Sequence, residues 1–279
     1  MYILNRKKRI SVSELKTIIS EHWTWRKQIF KLAKADIIKT YSGAALGWTW
    51  ALVKPTITIF VFWFAFTYGL RAGGGANGFP FALWMMPGFI AWFYMSDMMN
   101  SGASAIRKYR FLVTKMKFPV STIPTFISLS SLAIHIGLMV IVSIIFIATG
   151  HFPDIYWLQT FFYMFLMLIL AIVWSMFASM LGAMSKDFIN LVRSFTTAWF
   201  WLSGIMWDVK TIGIPWLQKL LYFNPVTYIA TGYRNCYIYK VWFWEEPLQL
   251  AIFGGIIVLL GVAGLWAYKK LIKEIPDVL

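Results

Sequence analysis

Six runs of about twenty mostly apolar residues follow one another along this chain, and a helix of that length rises far enough to cross roughly 30 Å of hydrocarbon. They cover residues 47–70, 79–103, 121–149, 157–184, 189–207 and 247–268. A backbone inside a bilayer must satisfy its own polar groups, so runs of this kind become helices. The expected fold class is all-α: a polytopic integral membrane protein with six transmembrane helices. Composition agrees, since 59% of the 279 residues are hydrophobic, 13% are charged and the mean hydropathy is +0.66, values no soluble domain shows. The N-terminus, "MYILNRKKRISVSELK", has neither an apolar core nor a small-residue cleavage site and does not read as a cleavable signal peptide.

Residues 212–239 are nearly apolar enough to add another span. Pro215, Pro225, Lys219 and Arg234 interrupt them too often, and such a segment enters a membrane without crossing it. Within it, "FNPVTYIATGYRN" at 223–235 places a helix breaker, Asn224-Pro225, between apolar stretches. Two short helices that dip in and return fit this pattern, with Pro225 at the first turn of the second, where its missing N–H costs nothing.

The cations settle the orientation expected for six spans. Residues 1–54, 106–118, 185–193 and 268–279 hold 21 of the 26 Lys and Arg, and residues 71–78 with 208–246 hold the other 5. Positive charge marks the cytoplasmic side. The expected organisation is therefore a cytoplasmic N-terminus over 1–46, a six-helix membrane domain over 47–268, and a cytoplasmic tail over 269–279. A cytoplasmic loop lies at 106–118 and an external re-entrant pair at 208–246. The net charge of +15 belongs to the membrane surface in this setting and implies no nucleic-acid partner.

Residues 21–40 are too charged to span. At about 100° per residue Trp23, Trp25, Ile29, Phe30, Leu32, Ala33 and Ile37 occupy one half of the wheel, and Lys27, Lys31, Lys34 and Lys39 the other. An amphipathic helix of this kind lies in the inner interface with its lysines among anionic headgroups. Lys27, Lys31 and Lys34 are thus candidates to gather a phosphate-bearing lipid head. Arg26 and Asp36 fall on the apolar half without evident partners.

Catalytic chemistry finds little support. "GGGANG" at 73–78 satisfies G-x-G-x-x-G literally, yet it follows a membrane helix and no strand, and reads as a connector. No phosphate-binding P-loop motif occurs. Cys236, the single cysteine, excludes an internal disulfide and a cysteine-based metal cluster. His22, His135 and His151 lie in an interfacial helix, a span and an outer loop, so no metal ligand set is expected. Of the ionisable residues assigned to spans, Asp97 is expected to pair with Arg107 or Lys108, and His135 to hydrogen-bond within the bundle. A membrane enzyme acting on polyprenyl phosphates, the competing class, lacks the converging carboxylates it needs. A secondary transporter lacks an internal repeat.

Three stretches resemble the type-2 ABC exporter permeases, and within them the polysaccharide exporters: "GAALGWTWALVKPTITI" at 43–59, "RFLVTKMKFPVSTIP" at 110–124 and "FNPVTYIATGYRN". The resemblance is nearest to members that export wall teichoic acid, with O-antigen exporters beside them and capsular polysaccharide, drug and lipid exporters further off. It implies a non-enzymatic half-transporter in the bacterial plasma membrane that dimerises and binds two copies of a separate ATPase. It also implies a polyprenyl-diphosphate-linked polysaccharide as cargo. The chain itself needs no cofactor; ATP and magnesium belong to the ATPase. The resemblance makes 107–118 the coupling helix, with Arg107, Lys108, Arg110, Phe111, Leu112, Lys115, Lys117 and Phe118 facing the ATPase and Phe111 and Leu112 as its apolar knob. Aromatic faces suit sugar C–H groups, and Tyr94, Trp174, Trp199, Trp201 and Tyr228 are chosen as conduit candidates by mid-span or motif position. Asn224, Pro225 and Arg234 join them as gate residues. Arg234 is expected either to cap its helix or pair with a carboxylate such as Asp208, or to meet phosphates of an emerging anionic polymer.

Overall fold

A computed structural model of the chain describes residues 12–43, 45–69, 78–116 and 118–279. Lys117 and most of the glycine-rich connector at 73–78 lie outside the described residues. Twelve α-helices occur among the described residues, and no strand. They are α1 (Val12–Thr24), α2 (Arg26–Thr40), α3 (Trp50–Phe64), α4 (Phe81–Lys108), α5 (Arg110–Thr114), α6 (Thr122–Ala148), α7 (Gln159–Met184), α8 (Lys186–Trp201), α9 (Pro215–Tyr222), α10 (Pro225–Arg234), α11 (Pro247–Leu271) and α12 (Ile275–Val278).

Four helical segments, Gly47–Gly69, Thr122–Ala148, Ile155–Met184 and Pro247–Leu271, are long and apolar enough to cross a membrane. The sequence led us to expect six, and α4 and α8 account for the difference. α4 has 28 residues and the length to span, but Asp97, Asn100 and its serines lower its hydropathy. It is the hub against which α6, α7, α8 and α10 pack, while Asp97 and Asn100 line cavities between it and its neighbours. α8 has 16 residues, about 24 Å of rise and short of the hydrocarbon thickness. The chain leaves the helix at Leu202 and turns through 202–208 where a longer span was expected.

The crossing of α4 and α7 is unusually close. A Cβ on Gly102 would lie 2.3 Å from Ser175 Oγ, and one on Gly182 would lie 1.9 Å from the carbonyl oxygen of Ala103. Small residues let membrane helices approach in this way, replacing an absent hydrophobic drive with van der Waals contact.

The expected interfacial helix is a kinked pair, α1 and α2, whose backbone hydrogen bonds continue through Trp25. Trp25 meets Phe118 edge-on at 5.1 Å. Ile29, Ala33 and Asp36 form the stripe that packs on the bundle, whereas Trp23 and Phe30, expected with them, are exposed. Asp36 and Arg26 find their partners here. Lys108 Nζ donates to Asp36 at 2.6 Å, Ser130 Oγ donates at 2.7 Å, and the Tyr109 hydroxyl completes the set. Burial alone would raise this carboxyl's pKa, but the donated hydrogen bonds and the Lys108 charge outweigh it and hold the pKa below the ordinary carboxylate value. Arg26 donates to the carbonyl of Trp23 at 2.7 Å and lies over its ring.

α9 and α10, eight and ten residues long, are both too short to cross. They meet at Asn224-Pro225, where Asn224 Oδ1 accepts from the backbone N–H of Val226 at 2.9 Å and Pro225 occupies the first turn.

Candidate functional site

α8 is built with three unlike faces. At about 100° per residue, Ile189, Val192, Thr196 and Phe200 form its buried stripe. Leu191, Phe195 and Leu202 make an exposed apolar flank. The remaining flank carries Asn190, Arg193, Thr197 and Trp201, all exposed. Arg193 is seven residues into the helix, about 10 Å along the axis, and its guanidinium has no partner among the described residues. An unpaired arginine facing hydrocarbon is costly. That flank therefore belongs against water, a ligand or more protein.

A groove of about 400 Å³ runs beside it, walled by α3, α4 and α8. Its aromatic lining is Phe62, Phe89, Trp92, Phe93, Phe200 and Trp201, and its polar lining is Thr58, Ser96, Asn100, Arg193, Thr196 and Thr197. The rings support one another: Phe62 lies 5.3 Å from Phe89 and 5.7 Å from Phe200, and Trp92 lies 5.4 Å from Phe200. Asn100 Nδ2 donates to the carbonyl of Ser96 at 2.7 Å. Asn100 Oδ1 is buried without a hydrogen-bond partner among the described residues. Faces for C–H groups, hydroxyls and amides for polar groups, and a fixed cation together fit a hydrated polar chain.

Trp201, 52% exposed, is the one conduit candidate from the sequence that lines this groove. Tyr94 is buried between α4 and α6, donating to the carbonyl of Ser128 at 3.2 Å beside the His135 ring. Tyr228 is held between Tyr163 and Phe253. Trp174 ties α7 to α4 through the carbonyl of Met99 at 3.3 Å. Tyr94, Trp174 and Trp199 share, with Pro225, a second and more apolar pocket of about 300 Å³ bounded by α4, α7, α8, α10 and α11. Ser96/Asn100 on α4 and Arg193/Thr197 on α8, polar pairs one turn apart within long apolar surroundings, were the signal available for the groove.

Trp199 reaches the junction of α9 and α10. Its indole N–H donates to Asn224 Oδ1 at 2.7 Å, and Asn224 Nδ2 donates to Ser203 Oγ at 2.9 Å and to the carbonyl of Leu202 at 3.2 Å. The end of the groove helix is thereby fastened to the α9–α10 hinge. Arg234 is 2% exposed and neither caps α10 nor pairs with Asp208. Its fork donates to the carbonyls of Gly204 at 2.7 Å and Ile205 at 2.5 Å, with Nε to Trp84 O at 3.4 Å, and its plane lies 3.7 Å over the Trp84 ring. Asp208 instead accepts from the Tyr239 hydroxyl at 2.6 Å. His135 joins Ile90 O and the Tyr233 hydroxyl inside the bundle, as expected.

On the opposite end of α4, Arg107 donates to the carbonyls of Gly182 and Ala183 at 2.7 Å each, capping the negative end of α7. With Lys108 committed to Asp36, the expected pairing of Asp97 with either residue does not form. Asp97 accepts from Ser101 and Ser131. The short α5 presents Phe111 at 42% exposure and leaves Arg110 and Lys115 exposed, while Leu112 and Phe118 are buried at 3% and 7%. The apolar knob is thus Phe111 without Leu112. Lys27, Lys31 and Lys34 are all exposed on α2.

Long apolar helices around the buried helix α4, with a polar and aromatic groove on an open face, define a polytopic α-helical membrane protein. The chain belongs to the ABC-2 type transporter family, whose pattern matches residues 27–238. It is 24% identical to the O-antigen export system permease protein RfbA of Myxococcus xanthus over 262 residues, 91% of this chain and 96% of the relative. It is 26% identical to the inner membrane transport permease YadH of Escherichia coli K12 over 196 residues, 67% of this chain and 75% of that one, and the Shigella flexneri YadH aligns to the same extent.

Proposed function

We propose that this chain is one half of a dimeric exporter that moves a lipid-linked cell-surface polysaccharide outward across a bacterial plasma membrane, driven by two copies of a separate ABC ATPase. The observation that carries this reading is the α3–α4–α8 groove, whose aromatic faces, hydroxyls and unpaired Arg193 sit on a face that one copy leaves open. A second copy on that face turns the groove into a water-filled conduit. The cation distribution supports both termini on the cytoplasmic side and α9–α10 outside. In that orientation the Asn224 fastening joins conduit to outer gate, Phe111 with its basic neighbours meets the ATPase, and Lys27, Lys31 and Lys34 gather the diphosphate of the polyprenyl carrier. Among cargoes, an O-antigen-like polymer is favoured over wall teichoic acid: the relative aligned over nearly its whole length is named for O-antigen. Arg234, the residue that would have met an anionic polymer, is committed to carbonyls. A drug or lipid exporter of the same family is the second reading.

Export into membrane vesicles, with permease and ATPase co-expressed, tests these assignments by separate arms. Thr197→Leu, which makes the groove wall apolar, should lower export on the order of tenfold while dimer and ATPase binding persist. Phe111→Ser should weaken ATPase co-purification and leave the permease folded, because Phe111 is exposed. Replacing Lys27, Lys31 and Lys34 by Gln should weaken the salt-sensitive part of lipid-carrier binding. Normal export from the Thr197 variant contradicts the conduit, and normal ATPase binding by the Phe111 variant contradicts the coupling role. Unchanged carrier binding at low salt contradicts the entrance role.

A further inference from the structure

A cavity of about 240 Å³ lies between α2, α3, α4 and α6, one step round α4 from Ser96 and Asn100. Besides the paired Asp36 and Lys108, two charges without counterions line it. Asp97 accepts hydrogen bonds from Ser101 Oγ at 2.8 Å and Ser131 Oγ at 2.5 Å, and no cationic side chain among the described residues forms an ion pair with it. Lys54 is exposed toward the same space and meets no carboxylate among the described residues. A third feature is Pro55 on the cavity wall. It supplies no N–H to the carbonyl of Ala51, which also lines the cavity and lacks its usual helical partner.

Position narrows the ligand. Lys54 is in the second turn of α3, and Tyr41, another lining residue, lies just beyond the end of α2. These are the boundary elements of the bundle, where chain crosses from interface to hydrocarbon. α3 buries only Ala51, so on its α2 and α6 side, away from the groove, this wall is left uncovered by the rest of the chain. A ligand here must offer a positive donor to Asp97 and a negative group to Lys54, and it must be small. An anionic headgroup would satisfy Lys54 but set its charge against Asp97. A quaternary ammonium would carry charge without N–H donors for the carboxylate and the free carbonyl.

We propose that this cavity binds the headgroup of a zwitterionic phospholipid bearing a primary ammonium. The ammonium is held by Asp97 and the carbonyl of Ala51, the phosphate by Lys54 and the Tyr41 hydroxyl, and the acyl chains stay in the bilayer beside α3. The lipid would stand between α3, a groove wall, and the hub helix.

The full chain in nanodiscs provides the test, with phosphatidylglycerol as the background lipid and phosphatidylethanolamine or phosphatidylcholine titrated in. Retained lipids are counted by native mass spectrometry. Phosphatidylethanolamine should survive stepwise delipidation while the other two do not, and Asp97→Asn should lower its retention about tenfold, as loss of one charge-assisted contact implies. Lys54→Met, at an exposed position that folding does not depend on, should also lower retention and serves if the Asp97 variant misfolds. Equal retention of all three headgroups overturns the proposal, as does phosphatidylethanolamine retention unchanged in both variants. Equal thermal losses in both single variants and in the double variant, independent of lipid, would mean an Asp97–Lys54 pair within the protein and overturn it as well.

Discussion

Replacing Arg234 by lysine or glutamine should collapse the junction of α4, α10 and the 202–206 turn, and both variants should fail at assembly before any question of cargo arises. The guanidinium is buried and serves the carbonyls of Gly204, Ile205 and Trp84. Gly88 is the neighbour that makes room, since a Cβ there would lie 2.8 Å from Arg234 Nη2. Lysine keeps the charge but cannot span diverging acceptors from a planar fork. Each carbonyl left unpaired in this interior costs about 1–3 kcal/mol, so a total of about 3–5 kcal/mol is expected, and a melting temperature lower by on the order of 10 °C. Fluorescence-detected size exclusion across a temperature ramp measures this directly. A lysine variant with wild-type stability and altered export would restore the polymer-guiding role that burial argues against.

Gly182→Ala should be comparably damaging for a different reason. The added Cβ would lie 1.9 Å from the Ala103 carbonyl oxygen and 3.0 Å from its carbon. Both are backbone, so no side chain can move aside, and the α4–α7 crossing must open by about 1 Å or more to reach ordinary contact. Overpacking costs about 1–3 kcal/mol where side chains absorb it, and here the helices themselves must shift. Opening also pulls the Gly182 and Ala183 carbonyls away from Arg107. The variant should therefore lose stability and uncouple ATP hydrolysis from export together. Gly264→Ala is the control, because its Cβ would meet nothing nearer than 3.5 Å. Its melting temperature should match wild type, and equal losses in both variants would sink the close-packing explanation.

Much of this fold was legible as periodicity and punctuation. Asn224-Pro225 marked the start of a helix, and the prolines at 215 and 225 separated two elements too short to span. Apolar runs likewise located α3, α6, α7 and α11. What escaped was anything decided by partners distant in sequence. α4 resembled a span of ordinary hydropathy because its apolar residues face the neighbouring helices, while Ser96, Asn100 and Asp97 line a groove and a cavity that only the assembled fold creates. Asp36 looked stranded on an apolar face because Lys108, Tyr109 and Ser130 reach it from 72 to 94 residues away. Arg234 looked available for cargo because its acceptors are carbonyls, which no sequence pattern displays. The groove itself was partly visible: Arg193 stood inside the expected span 189–207 but was counted with the preceding cytoplasmic loop. The polar side of α8 was therefore not followed to Thr197.

In the proposed exporter, α8 turns its polar flank to a water-filled conduit and its apolar flank to lipid. Single cysteines at Thr197 and Phe195, each in a Cys236→Ser background and each in the purified, nanodisc-embedded assembly, should divide sharply when a charged thiol reagent is added. Native Cys236 is fully buried, so its replacement removes background without touching the groove. Rapid modification of the Thr197→Cys protein is expected, slowed when lipid-linked polymer is bound, with negligible modification of the Phe195→Cys protein. Rapid reaction at the Phe195 position with protection at Thr197 would place water on the other side of the helix and contradict this orientation of α8.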